Sequence, residues 1–258
     1  MAETGLAYAP KGLIGLLTPQ ANTTVEPEFA ILCPPGYGAI TARLTSPAPQ
    51  MVDRLGEYFE TLEGQIARFS NAPIDAYAFA CTGSSYLVGR EAEEAKCADV
   101  EARTGRSFIA AATAVREALT TLDAERIGLI SPYPPDLDRA SSAYWTSGGF
   151  AVAETFSISD TSAAHPIYGI SGARALGAVR EMKGREVDAI VLLGTGMPTL
   201  GAIRAAAGLE GPPVLSSMLA LAWRTIGVLD GRAPEREDLL DWIAGRPWGE
   251  RFIARVGT

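Results

Sequence analysis

The sequence predicts an α/β protein made of two pseudo-symmetric, doubly wound parallel-sheet lobes with a cleft between them. Short apolar runs alternate with longer segments of helical periodicity, which is typical of parallel sheets covered by helices on both faces. The chain also repeats itself. Ile14–Pro19 returns as Ile127–Pro132, and Asp75–Gly83 returns as Asp188–Gly196, both shifted by 113 residues. A shared offset with no net insertion indicates two halves built alike.

The apolar runs predict seven strands. In chain order they are Leu13–Leu17, Ala39–Leu44, Ala76–Ala80, Ile127–Ile130, Phe150–Phe156, Ala189–Leu193 and Val214–Leu215. Segments with apolar residues near a spacing of 3.6 predict helices. They are Met51–Phe69, Ser85–Thr104, Ala110–Leu122, Leu137–Thr146, Ile170–Met182, Leu200–Ala207 and Met218–Val228. We expect an N-terminal lobe over residues 11–122, a C-terminal lobe over 123–229 and a helical extension over 230–258.

Composition and charge restrict the class of protein. The chain has 258 residues, of which 47% are hydrophobic and 20% charged, as in ordinary globular proteins. No apolar run approaches the roughly 18 residues of a membrane span, and the N-terminus lacks a signal-peptide pattern, so we expect a cytoplasmic protein with no membrane partner. A net charge of −8 argues against nucleic acid as a partner. An anionic substrate would then be held by local dipoles.

Cysteine and histidine are too few for most metal sites. Cys33, Cys81 and Cys97 include no CxxC pair, and His165 is the single histidine, which we expect to be a loop residue. Neither GxGxxG nor a phosphate-binding GxxxxGK[ST] motif occurs. The sequence therefore predicts no metal, no organic cofactor and no disulfide framework.

Cys81 is the candidate catalytic residue. It follows a predicted strand and precedes Thr82-Gly83-Ser84, where a helix N-terminus and free backbone N–H groups would favour a thiolate. A small buried residue at a strand end is the alternative interpretation. The internal repeat pairs Cys81 with Gly194, so one half carries a thiol and the other does not. This asymmetry favours a functional role.

Loops after parallel strands converge at one edge of a sheet, where ligands bind. The predicted substrate-binding residues in these loops are Pro19, Gln20, Asn22, Thr82, Gly83, Ser84, Tyr133, Gly194, Thr195 and Gly196. Asn22 has an alternative role as a helix cap. Tyr133 would donate to a bound carboxylate or be an ordinary loop residue, and Gly194 would leave room for substrate or meet a turn requirement.

These residues resemble the aspartate/glutamate racemase superfamily, in the branch of maleate cis-trans isomerase and arylmalonate decarboxylase. The resemblance extends from Leu13 to about Val228. It rests on Pro19 with Asn22-Thr23-Thr24-Val25-Glu26, on Ala80-Cys81-Thr82, on Pro132-Tyr133, and on Met197-Pro198-Thr199-Leu200. The resemblance implies cofactor-independent chemistry on a small carboxylate and a homo-oligomeric enzyme.

The single thiol departs from the family pattern of two facing cysteines. The arrangement is also the mirror of arylmalonate decarboxylase, which keeps its cysteine in the second lobe. The leading hypothesis is a maleate-isomerase-like cis-trans isomerase in which Cys81 adds to a double bond. The alternatives are an arylmalonate-type decarboxylase with Cys81 as proton donor and a non-catalytic carboxylate-binding homologue.

Overall fold

A computed structural model describes residues 5–159 and 167–257, so His165 lies outside the described residues. The described chain contains two four-stranded parallel sheets. The first contains β1 (Gly12–Pro19), β2 (Tyr37–Leu44), β3 (Ala76–Phe79) and β4 (Ser107–Ala110), in the order β2-β1-β3-β4. The second contains β5 (Arg126–Ser131), β6 (Ala151–Ser157), β7 (Ala189–Leu192) and β8 (Val214–Ser216), in the order β6-β5-β7-β8. The predicted fold class is confirmed.

Helices cover the sheets. In the first half they are α1 (Val25–Leu32), α2 (Met51–Glu60), α3 (Leu62–Ile66), α4 (Thr82–Val88), α5 (Arg90–Thr104) and α6 (Ala111–Thr121), with a 3-10 turn at Ala67–Phe69. In the second half they are α7 (Pro135–Ser147), α8 (Gly172–Met182), α9 (Leu200–Ala206), α10 (Ser217–Leu229), α11 (Arg236–Ile243) and α12 (Gly249–Val256). None of the described helices has the length and apolar character that a membrane crossing requires.

The internal repeat is preserved in the strand register. Ile14 of β1 pairs with Ala76 of β3, and Ile127 of β5 pairs with Ala189 of β7. All four residues are fully buried. Because both pairs are related by the same offset, the repeated segments occupy the same central strands of the two sheets. The loops that follow these strands therefore occupy equivalent places.

Three elements differ from the prediction. The sequence interpretation missed β4, which is only four residues long and runs directly into α6. The predicted helix Ser85–Thr104 starts earlier, at Thr82, and is interrupted at Gly89, whose φ of +82° ends α4. The predicted helix Met51–Phe69 is divided at Thr61 into α2, α3 and the 3-10 turn. Hydrophobic periodicity continues across such short breaks, so it does not reveal them.

The last helices brace the first half of the chain. Helix α10 follows β8 of the second sheet but packs on α6 and on strands β3 and β4 of the first. In α12, Arg251 donates to the carbonyl oxygens of Ile31 and Leu32 at 2.6 and 3.0 Å. These carbonyls lie at the end of α1, where the helix leaves acceptors unpaired. The C-terminal extension thus stabilises the end of α1.

Candidate active site

A cavity of about 300 Å³ lies where the loops after β1, β3, β5 and β7 meet. The predicted site residues that line it are Pro19, Gln20, Asn22, Cys81, Thr82, Gly83, Tyr133, Gly194, Thr195 and Gly196. Ser84 does not line the cavity and is fully buried behind Cys81. The carboxyl ends of the central strands of both sheets thus supply one shared site, as the repeat predicts.

Cys81 is the N-cap residue of α4. Its Sγ lies 3.2 Å from the Oγ of Ser84, and that hydroxyl donates to the carbonyl oxygen of Leu55 at 2.6 Å. Burial raises the pKa of the Cys81 thiol, and the Ser84 hydroxyl and the backbone N–H groups of Ser84 and Gly83 offset this only in part. The N–H groups at the helix N-terminus favour the thiolate, as expected, but burial outweighs them and the net pKa is raised.

Asn22 lines the cavity and also bonds to the backbone at the start of α1. Its Oδ1 accepts from the backbone N–H groups of Thr24 and Val25, the N-cap and first residue of α1, at 2.9 and 3.0 Å. Its Nδ2 donates to the Oγ1 of Thr195 at 3.3 Å, and that hydroxyl donates to the carbonyl oxygen of Ala80 at 2.8 Å. Asn22 therefore joins the loop after β1 to the loop after β7, next to the thiol.

Tyr133 makes a second connection across the cleft. Its hydroxyl lies 2.8 Å from the Oγ1 of Thr82, the residue after Cys81. The ring packs edge-on against Tyr86, with 6.1 Å between centroids. Burial raises the pKa of Tyr133 well above its usual range, so the phenol stays protonated at neutral pH and remains a hydrogen-bond donor.

Gly194 occupies the place opposite Cys81 in the repeat, but the space above it is not empty. Its φ is +81°, a backbone angle that residues other than glycine rarely adopt. A Cβ at this position would lie 3.1 Å from the Cγ of Pro132 and 3.2 Å from the hydroxyl of Tyr133. The backbone conformation thus favours glycine, and any side chain here would be strained and in tight contact with Pro132 and Tyr133.

Sequence reasoning missed seven residues that line the cavity. They are Ala21, Met51, Arg54, Leu55, Tyr58, Ile167 and Tyr168. Four of them, Met51, Arg54, Leu55 and Tyr58, lie on one face of α2 at the spacing i, i+3, i+4 and i+7. An arginine on an otherwise apolar helix face was the available signal. Periodicity shows that a face is buried, but it does not show against what.

Arg54 adds a local positive charge to the loop dipoles that we expect to hold an anionic substrate. It is the one charged residue among those of the described chain that line the cavity. Its Nη1 donates to the carbonyl oxygens of Ala48 and Pro49 at 3.1 and 2.6 Å. Although the chain as a whole is acidic, the cleft therefore contains a positive charge.

The other two cysteines lie outside the cavity. Cys33 follows α1 and Cys97 belongs to α5, and both are partly buried against the hydrophobic core. Burial raises the pKa of both thiols, to about 11 for Cys33 and about 12 for Cys97. Within residues 5–159 and 167–257, no group of three or more His, Cys, Asp or Glu side chains is arranged to hold a metal ion.

Comparison with known proteins places these features in a family. A family model described as arylmalonate decarboxylase matches residues 14–238. Maleate isomerase of Nocardia farcinica is 28% identical over 232 residues, which cover 84% of this chain and 90% of the relative. Maleate isomerase of Geobacillus stearothermophilus is 26% identical over 235 residues, with coverage of 84% and 91%.

Solved structures show the same fold. Nocardia farcinica maleate cis-trans isomerase, as a mutant with a covalently bound succinylcysteine intermediate, superposes with a TM-score of 0.73 at 26% identity, over 85% of this chain and 93% of that one. Arylmalonate decarboxylase superposes with a TM-score of 0.69 at 21% identity, over 86% and 94%. The likeness to these structures extends over 85% and 86% of this chain.

Proposed function

The chain belongs to the arylmalonate decarboxylase family, and we propose that it is a cofactor-independent, maleate-isomerase-like cis-trans isomerase of a small unsaturated carboxylic acid. The observation that carries the proposal is one cavity that brings the Cys81 thiol together with hydrogen-bond donors from both halves of the chain. The curated relatives named maleate isomerase support the same chemistry. We propose that Cys81 is the catalytic residue and that the other cavity-lining loop residues bind substrate.

The reaction needs one thiolate and no external reagent. The Cys81 thiol first transfers its proton to solvent water. Its Sγ then adds to one alkene carbon, and the π electron pair moves to the neighbouring carbon and its carboxylate. The former double bond is now single and rotates. Elimination breaks the C–S bond, restores the double bond in the trans form and returns the thiolate. No atom is gained or lost, so a second thiol is not required.

The donors near Cys81 suit the charge that develops in this intermediate. Asn22, Thr82 and Tyr133 project from loops that are tied together by hydrogen bonds across the cleft. Donors that are held in place before the reaction stabilise a developing enediolate at little reorganisation cost. We propose that they hold the carboxylate attached to the carbon that receives the electron pair.

Decarboxylation is the second candidate, because the matching family model describes arylmalonate decarboxylase. In this reaction the bond to one carboxylate breaks and releases CO₂, the electron pair forms an enediolate, and Cys81 delivers a proton to one face. The apolar side chains of Met51, Leu55 and Ile167 in the cavity could accept an aryl or alkyl group. A carboxylate-binding protein without activity is the third hypothesis.

One experiment separates these functions. The purified protein is incubated in deuterated water with maleate, with phenylmalonate and with an alkylmalonate, and the products are followed by NMR. We expect maleate to become fumarate, while the malonates persist. A monoacid deuterated at the α-carbon would establish the decarboxylase instead, and binding without any conversion would leave the non-catalytic role.

Assembly and location stay predictions. We propose a homo-oligomer in the cytoplasm, in line with the family resemblance. Light scattering during size-exclusion chromatography measures the mass directly against the 27.2 kDa of one chain. A monomer at micromolar concentration would contradict the proposed assembly without affecting the chemistry.

A further inference from the structure

The guanidinium of Arg54 has more N–H donors than the hydrogen bonds that it forms with the protein. Its Nη1 hydrogens go to two carbonyl oxygens of the loop before α2. No carboxylate of the described residues forms an ion pair with it, although most other arginines of the chain have such partners. The Arg54 side chain also forms a hydrogen bond with the phenol of Tyr58. A guanidinium carries five N–H donors in a planar fork, so donors are left for a carboxylate beside these three contacts.

The charge of Arg54 and the thiol of Cys81 act on the same two phenols. Burial raises the pKa of Tyr58; the nearby Cys81 raises it further, whereas Arg54 and the backbone N–H of Gln20 lower it. Burial likewise raises the pKa of Tyr168, again with Cys81 raising it and Arg54 lowering it. Both phenols line the cavity. The guanidinium and the thiol therefore flank one substrate-sized space.

The two ends of this space differ in charge. Neutral donors, including Asn22, Thr82 and Tyr133, surround the thiol, and a single positive charge lies at the α2 side. We infer that Arg54 is a specificity-determining residue that binds a second carboxylate of the substrate, remote from the one held by the neutral donors. The inference rests on the proposed function. It assigns to Arg54 the discrimination between a dicarboxylate and its monoamide.

With the retained carboxylate held by the neutral donors, the departing carboxylate of a malonate would lie against Arg54, and this charge then disfavours the decarboxylase alternative. A decarboxylase must bind the departing carboxylate where loss of its charge is favourable, and a guanidinium stabilises the charged ground state instead. An isomerase keeps both carboxylates ionised throughout, so the contact with Arg54 is retained in substrate, intermediate and product.

The test compares a dicarboxylate with its monoamide. We expect wild-type protein to prefer maleate over maleamate in kcat/KM by about 10- to 100-fold, the range for a hydrogen bond to a charged group. Arg54→Gln should remove most of this preference, and Arg54→Lys should restore part of it. Arg68→Gln is the matched control, because Arg68 is exposed, lies outside the cavity and bonds to Arg43 and Thr45.

A purely structural role has a different outcome. If Arg54 only anchors the loop at Ala48 and Pro49, the substitution should lower kcat/KM for maleate and maleamate by the same factor, and the inference is overturned. The ratio between the substrates is therefore the decisive measurement, rather than the activity itself.

Binding separates this inference from the proposed reaction. Calorimetry with succinate and succinamate needs no turnover, and we expect wild type to bind succinate more tightly by a similar factor that Arg54→Gln abolishes. If maleate is not converted but this Arg54-dependent difference is present, the isomerase proposal fails and the inference stands. If maleate is converted and the affinities are equal, or if neither acid binds, the inference fails.

Discussion

Cys81 is the residue on which the proposed chemistry depends. We predict that Cys81→Ser retains the fold, because a buried hydroxyl has Ser84 as a neighbour, and that it lowers turnover of maleate by at least about 10²-fold. Steady-state kinetics with circular dichroism of the variant checks both parts. Cys33→Ala and Cys97→Ala are the controls and should change the rate little. Near-wild-type activity of Cys81→Ser would remove this thiol from the mechanism.

Substitution of Gly194 tests whether its left-handed backbone conformation contributes to stability. We predict that Gly194→Ala lowers the free energy of unfolding by about 1–3 kcal/mol, because a side chain here is strained and contacts Pro132 and Tyr133. Gly208→Ala is the matched control, since a Cβ there meets no atom within 4 Å. Urea unfolding compares the two variants. Equal stability would contradict the role assigned to this turn.

At the scale of elements, α1 holds the start of α9 through Glu28. The carboxylate accepts from the backbone N–H groups of Thr199 and Leu200 at 2.5 and 3.1 Å, and from the Thr199 hydroxyl. Thr24 adds a bond from its hydroxyl to the carbonyl oxygen of Gly196 at 2.6 Å. Helix α1 therefore positions the loop between β7 and α9, which forms one wall of the cavity.

Burial of Glu28 makes the stability of the fold dependent on pH. Burial raises its pKa from 4.5 to about 7, and the Thr199 and Leu200 donors offset this only partly. The folded protein therefore holds the proton more tightly than the unfolded chain does. The stabilisation is fully present below pH 4.5 and is lost as the pH rises to about 7, with a total of about 3 kcal/mol.

Urea unfolding at pH 5 and pH 8 measures this effect. We predict that Glu28→Gln reduces the difference in unfolding free energy between the two pH values, because glutamine does not titrate and its oxygen still accepts from the N–H groups. Glu60→Gln, on the exposed side of α2, should leave the difference unchanged. A wild-type difference that persists in Glu28→Gln would assign the titration to other groups.

For the whole molecule, we predict activity without a metal ion or organic cofactor. The described residues contain no cluster suited to a metal, and the proposed addition and elimination need only the thiol and hydrogen-bond donors. Activity should survive EDTA and extensive dialysis within about twofold. Loss of activity that one added metal ion restores would overturn this prediction.

The sequence alone determined the architecture and the position of the thiol. Strand and helix periodicities depend on neighbouring residues, and the repeat can be seen along the chain, so two like sheets and the pairing of Cys81 with Gly194 were both predictable. The loops that form the cleft followed from the rule that ligands bind at the carboxyl ends of parallel strands. The short strand β4 and the break at Gly89 were missed, because neither interrupts the apolar pattern.

Only the tertiary structure decided what surrounds the thiol. Arg54 faces the cavity because α2 packs beside α4, a contact between segments that are distant in the sequence. Tyr133 covers Gly194, and burial raises the pKa of Cys81 despite the helix N-terminus. Each of these depends on which surfaces exclude water together. Local sequence patterns do not show which distant surfaces will be buried against each other. The charge, shape and protonation of the site can therefore be seen only in the folded chain.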